Sequence, residues 1–268
     1  MTASPVGRLS VRVFALGYLA ILLLVPIGVV LYRTFEPGLG AVWDSITTPA
    51  AVSAFWLTIE IAAIAVPLNT IFGIVAALVL VRTRLRGKWL LQALIDLPFA
   101  ISPVVIGLSL FLLFGRTGWL GPTFTDAGIQ VIFSVPGMVL ATIFVCLPFV
   151  VREVAPVLRE IGDEQEQAAA TLGASRWQTF RRITLPAIRW GVAYGVVLST
   201  ARAIGEFGAV SVVSGKISGE TVTLPLLVEN RYSNFDLAGA YAASALLAVI
   251  ALATLLAMTL VQRKGDAR

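Results

Sequence analysis

Glu60, Asp96, Arg202 and Glu206 are ionisable side chains set inside long apolar runs. A charge at the centre of a bilayer costs roughly 2.5–3.5 kcal/mol on insertion scales, so such groups usually face protein or water and often serve function. Arg202 and Glu206 lie four residues apart, one helical turn from each other. Two roles fit that spacing: a self-neutralising structural pair, or an anion path to which Arg202 lends positive potential while Glu206 holds it in place. Both residues are candidates for a translocation path. Glu60 and Asp96 are expected to be buried, hydrogen-bonded structural charges.

The remaining inventory rules out most catalysis. The chain has one cysteine, Cys146, within an apolar run, and no histidine. An intrachain disulfide, a Cys/His zinc site and haem ligation by histidine are therefore impossible. So are a Ser-His catalytic pair and an HExxH metalloprotease site. Cys146 reads as a small buried hydrophobe. No metal site is expected, and no paired aspartates in adjacent spans suggest an intramembrane enzyme. No G-x4-G-K-[ST] occurs, so any ATP that drives this protein must be bound by another polypeptide.

The elements that must position these charges are membrane helices. The 268 residues are 58% hydrophobic and 13% charged, with a mean hydropathy of +0.90, whereas soluble domains carry about 25% charged residues. A net charge of +5 could suggest nucleic acid, but the placement of the charges argues against it. Six apolar runs are long enough to cross a bilayer: approximately 13–32, 53–81, 89–115, 131–151, 188–213 and 237–262. The first follows Arg8 and Arg12 without a small-x-small cleavage site, so it is expected to be an uncleaved span. Prolines inside the runs are tolerable where neighbouring helices satisfy the freed carbonyls. The expected architecture is a single all-α integral membrane domain of six spans.

Lysine and arginine counts orient it. The two tails and the second and fourth connections hold fifteen, and the other three connections hold four. By the positive-inside tendency both termini are cytoplasmic, which an even number of spans requires. The odd-numbered connections are too short for a second domain but long enough to meet an external partner.

The fourth connection, 152–187, is the longest on the cytoplasmic side. Asp163, Glu164 and Glu166 suit the start of a helix, and Ala168, Ala169 and Ala170 favour its continuation. Gly173 is a natural helix end. A second helix over Ser175–Ile183 is expected, with Ser175 as N-cap and Pro186 stopping it before the fifth run. Taken alone, this pattern also fits an amphipathic linker on an anionic lipid surface.

The stretch QAAATLGASRWQTFRRITLP, Gln167–Pro186, resembles the signature of ABC-importer permease subunits, E-A-A-x3-G-x9-I-x-L-P. Ala168, Ala169, Gly173, Ile183, Leu185 and Pro186 match it. Gln167 departs by replacing the usual glutamate, keeping the hydrogen-bonding shape without the charge. Glu166, about 100° away on a helix, is an imperfect substitute. The resemblance implies a type I ABC importer permease fold whose coupling helices sit in a groove of a separate ATPase. Gln167 and the six matching residues would then be the ATPase-coupling set.

A second resemblance is narrower. Ala201–Glu229, together with Asp96–Ala100 and Ser102–Val105, is similar to the sulfate/thiosulfate permease family, CysW type. Gly205–Gly208 is shared with molybdate permeases as well. The resemblance implies one permease subunit of a bacterial inner-membrane sulfate/thiosulfate importer. It would pair with a second, related permease subunit, two ATPase subunits that bind ATP and Mg, and an extracytoplasmic sulfate-binding protein. Only lipid and these proteins are expected as partners, not nucleic acid, and the chain itself is no enzyme. The alternatives are a molybdate/tungstate-type oxyanion ABC permease, or an ion-coupled secondary transporter using Glu60, Asp96 and Glu206. The small-residue stripe Gly191, Gly195, Ser199 and Ala203 suits close helix approach. It fits internal packing or, the favoured reading, the seam with the second permease.

Overall fold

The structure is a computed structural model that describes residues 5–266, with side chains over 13–260. The tail charges Arg8, Arg12, Arg263, Lys264 and Arg268 counted above lie outside the described side chains. Among the described residues the chain is helical with no strand. In order the helices are α1 (Pro5–Phe35), α2 (Leu39–Ile46), α3 (Pro49–Arg82), α4 (Lys88–Ala100), α5 (Pro103–Phe114), α6 (Gly121–Asp126) and α7 (Val135–Glu160). Then come α8 (Glu164–Thr171), α9 (Arg176–Thr179), a π-helical turn (Phe180–Thr184), α10 (Leu185–Ile204), α11 (Gly208–Val213), α12 (Leu224–Ser233) and α13 (Leu237–Asp266).

Four of these, α1, α3, α7 and α13, are long and apolar enough to cross a membrane. α1 leaves the whole of its apolar window uncovered, and α13 nearly so. Apolar side chains such as Phe14, Leu24 and Leu256 point outward, as a lipid-facing helix requires.

The third and fifth expected spans differ from single straight helices. α4 and α5 meet at a 110° bend. The cause is local: Ile101 and Ser102 adopt extended ψ of 137° and 136° ahead of Pro103, as a residue preceding proline prefers. α10 stops at Ile204, and the chain breaks at Gly205–Phe207 before α11 resumes. With 20 residues that include Arg189 and Arg202, α10 is not among the helices that qualify as spans by length and composition.

The core is built on α3, α7 and α10. Small residues let their backbones meet: a Cβ on Gly73 of α3 would fall 2.5 Å from Val150 Cβ on α7. One apolar cluster joins Leu57, Ile61, Met138, Val210, Leu224 and Leu226. Another joins Ala77, Leu80, Ile95, Val154, Leu158 and Ile188 beside the connection between α7 and α10. The stripe on α10 is spent inside the chain. A Cβ on Gly195 would lie 2.9 Å from Val150 Cα, and one on Gly191 would lie 3.0 Å from the Glu153 carbonyl. Ser199 and Ala203 are buried. The favoured seam with a second permease is thus corrected: this stripe packs on α7 of its own chain.

Candidate functional site: the docking segment and the intramembrane charges

α8 and α9 form a short corner between α7 and α10. Glu164 and Glu166 occupy the first turn of α8, where carboxylates complement the helix dipole. Gly173 turns the chain at φ +82°, and a Cβ there would meet nothing within 4 Å. Ser175 then opens α9 with a reciprocal capping box: its hydroxyl accepts from Gln178 N at 3.3 Å, and Gln178 Oε1 accepts from Ser175 N at 2.8 Å. Trp177 and Phe180 stack with centroids 5.6 Å apart.

Pro186 does not stop this helix. Thr184 and Leu185 are both in the right-handed helical region, and α9 runs through the π-helical turn directly into α10. Proline lacks the N–H that an α-helical register would use. The widened turn accommodates that loss, with Leu185 N donating to the Phe180 carbonyl.

The exposed face of the corner carries Gln167, Ala168, Ala170 and Gly173. Leu172 is 88% exposed and Trp177 66%. Ala169 is buried, and Ile183 and Leu185 are half-buried. Leu172, Gly173, Gln178, Arg182 and Ile183 line a concavity of about 330 Å³ in this corner. Large apolar side chains beside a polar hollow are what a protein partner covers.

Glu166 faces the other way. Arg82, at the end of α3, donates from Nε to Glu166 Oε2 at 3.0 Å and from Nη2 to Oε1 at 3.3 Å. Its Nη1 and Nη2 also donate to the carbonyls of Leu158 at 2.8 Å and Gly162 at 2.6 Å. Thr184 Oγ1 donates to Glu166 Oε1 at 2.8 Å. Arg82 and Thr184 were not found from sequence. They lie 84 and 18 residues from Glu166, and no local periodicity connects such positions.

Arg202 and Glu206 form the expected ion pair, through Nη1 and Oε2. Glu206 is 1% exposed at its side chain and Arg202 30%. Glu206 Oε1 also accepts from Ala209 N at 2.7 Å, in the first turn of α11. The carboxylate therefore fastens both sides of the Gly205–Phe207 break.

The two structural charges depart from expectation. Asp96 is hydrogen-bonded but not buried: Arg152 Nε donates to Oδ1 at 3.0 Å and Gln92 Nε2 to Oδ2 at 2.8 Å, with 30% of the Asp96 side chain exposed. The Arg152 guanidinium also lies 4.3 Å from the Phe99 ring centre. Glu60 is exposed and has no bonded partner in this chain among the described residues. It shares the open stripe of α3 with Trp56 and Ile64. Cys146 is buried as expected. A cavity of about 700 Å³ lies near the opposite end of α7, lined by Phe111, Arg116, Gln130 and Phe133; neither Arg202 nor Glu206 lines it.

A bundle of apolar helices with two broken helices and a short exposed helical corner is the frame of a membrane-embedded transport component. Its fold matches the crystal structure of a bacterial ABC transporter involved in import of the acidic polysaccharide alginate. The TM-score is 0.79 at 19% identity, covering 96% of this chain and 95% of that one. The same similarity holds for the alginate transporter in complex with alginate pentasaccharide-bound periplasmic protein, with 94% of that chain covered.

The chain belongs to the family of binding-protein-dependent transport system inner membrane components, whose model matches residues 69–265. It is 52% identical over 93% of its length to the sulfate transport system permease protein CysW of Synechocystis sp., covering 91% of that protein. Identity to CysW of Escherichia coli (strain K12) is 49%, with 91% and 84% covered. The permease protein CysT of Synechocystis sp. is 38% identical, with 92% and 87% covered. A multi-pass inner-membrane permease of the type I importer fold is what this chain is, a non-enzymatic membrane component.

Proposed function

We propose that the chain is one of two different permease subunits of an ATP-driven importer for sulfate and thiosulfate. The observation that carries the cargo is the full-length similarity to sulfate permeases, 52% over 250 residues. The second permease is then a CysT-like chain, and an extracytoplasmic sulfate-binding protein delivers the anion. ATP and Mg belong to two separate ATPase subunits.

In this reading the chain crosses the membrane six times with both termini in the cytoplasm. The bent α4–α5 pair makes the third crossing, and α10 with α11 the fifth. The corner of α8 and α9 meets the ATPase through the coupling set Gln167, Ala168, Ala169, Gly173, Ile183, Leu185 and Pro186. Closure of the ATPase pair draws the two docking segments together and opens the path to the loaded binding protein. Hydrolysis returns it. Arg202 supplies positive potential beside that path, with Glu206 as its buried anchor.

The test is reconstitution of the permease pair with its ATPase and binding protein in vesicles. Sulfate uptake that needs ATP, survives an uncoupler and is competed by thiosulfate is the expected result. Uptake driven by an ion gradient without ATP, or competition by molybdate alone, would overturn the reading.

A further inference from the structure

We propose that Arg82, Glu166 and Thr184 form a strut that carries movement of the docking segment to α3, and so act as positioning residues for transport. The inference rests on the importer reading above and adds the route by which force leaves the docking corner. α10 needs no such device, because the π-helical turn joins it to α9 without a stop. α7 needs none either, since Ile161–Asp163 alone separates it from α8. α3 is different. Its chain departs at Thr83 toward α4, and its bonded link to α8 is Arg82 reaching Glu166.

The link is built to transmit. The planar guanidinium spends its donors on two carboxylate oxygens and two carbonyls, so it has little freedom to swing. Its side chain is 18% exposed and that of Glu166 22%, which limits screening by water. Thr184, 3% exposed, holds the same carboxylate from the π-helical turn. Among the described residues α8 packs chiefly on α9 and that turn, so beyond its chain link to α7 this carboxylate is its main side-chain hold on the spans. Glu166 is turned away from the face carrying Gln167 and Leu172, and is not itself a docking group.

The test uses the whole complex with its ATPase, in a Cys146→Ala background, and single cysteine probes at two exposed positions: Ile71→Cys on α3 and Ala187→Cys on α10. A nitroxide is attached at each position in detergent, and its collision rate with dissolved oxygen, which reaches lipid-facing sites, is compared with and without a non-hydrolysable ATP analogue. Both probes are expected to respond to nucleotide in the otherwise unaltered protein. In Glu166→Ala and in Arg82→Gln, the response at Ile71→Cys should fall about tenfold, the factor that corresponds to one charge-assisted hydrogen-bonded link. The response at Ala187→Cys should persist, and the ATPase should still co-purify. The double variant should fall short of the sum of the two singles, because both remove the Arg82–Glu166 link.

An unchanged response at Ile71→Cys would overturn the strut alone and leave the importer reading standing. Loss of the bound ATPase in Glu166→Ala, or additive effects in the double variant, would also overturn it. Silence at both probes with no ATPase co-purifying from the unaltered chain would sink the importer reading, and the strut with it.

Discussion

A carboxylate that is 1% exposed cannot lose its counterion cheaply, and this separates the two members of the Arg202–Glu206 pair. Arg202→Gln leaves Glu206 charged and buried. The expected cost is about 3 kcal/mol, the lower end for breaking a buried pair, because Arg202 itself retains contact with solvent. Glu206→Gln keeps an acceptor for Ala209 N and leaves the spare charge on the more exposed partner, so it should cost clearly less. Thermal unfolding of the two variants in detergent orders them, and equal losses would mean that the cap on α11 matters more than the charge. Glu60 gives the opposite expectation. With no partner among the described residues, Glu60→Gln should change the stability of the isolated subunit by less than about 0.5 kcal/mol; a larger loss in the same assay would count against a free carboxylate there. The pairing of Arg202 with Glu206 was legible because four residues make one helical turn. The exposure of Glu60 was not, since an apolar helix in a bundle shows no periodicity that separates its core face from its outer face. α3 is apolar all round, and Trp56 and Ile64 beside Glu60 look like core residues in the sequence but are outward in the fold.

At the level of elements, the docking corner was the most readable part of the chain. An acidic first turn, a glycine end and a serine cap each have a local cause, and all three recur as α8, Gly173 and α9. Local signals misled where proline was concerned. Pro186 reads as a stop but sits within a continuous helix, whereas Ser102-Pro103, read as a tolerable interruption, turns the chain through 110°. A proline removes one donor in either case; whether the helix bends or widens depends on what packs against it. Two glycines follow different logics. Gly173→Leu strains a φ of +82° and projects a side chain from the open docking face. It should abolish ATPase co-purification and uptake while the subunit still reaches the membrane, which fractionation and pull-down check; wild-type uptake would argue against the corner as the docking site. Gly195→Val instead drives a side chain into the backbone of α7 at Val150. It should cost about 1–3 kcal/mol or more in the isolated subunit, measured as a lowered Tm. A variant that kept its Tm but lost its permease partner would restore the seam.

For the molecule as a whole, the two ends of the bundle are told apart by their charge. α7 supplies the ruler: 26 residues, or roughly 39 Å at helical rise, which exceeds the hydrocarbon core. Its first residue follows the connection that carries Trp119, and its last precedes the docking corner that carries Leu172. These side chains are 92% and 88% exposed, so neither is hidden by its own chain. The basic residues are unequal between the two ends: Arg82, Arg84, Arg86, Lys88, Arg159, Arg176, Arg181 and Arg182 belong to the connections on the side of the docking corner, and Arg33, Arg116, Lys216 and Arg231 to those on the side of Trp119. The insertion machinery retains such clusters in the cytoplasm, and an ATPase can be reached only there. Cysteines placed as Trp119→Cys and Leu172→Cys, in a Cys146→Ala background, should therefore react with a membrane-impermeant maleimide from opposite sides. Intact spheroplasts should label position 119 alone, and inverted vesicles position 172 alone, with labelling at 172 suppressed when the ATPase is bound. Labelling of position 172 from outside would remove the ATPase from reach of its docking corner, and with it the proposed mode of driving transport.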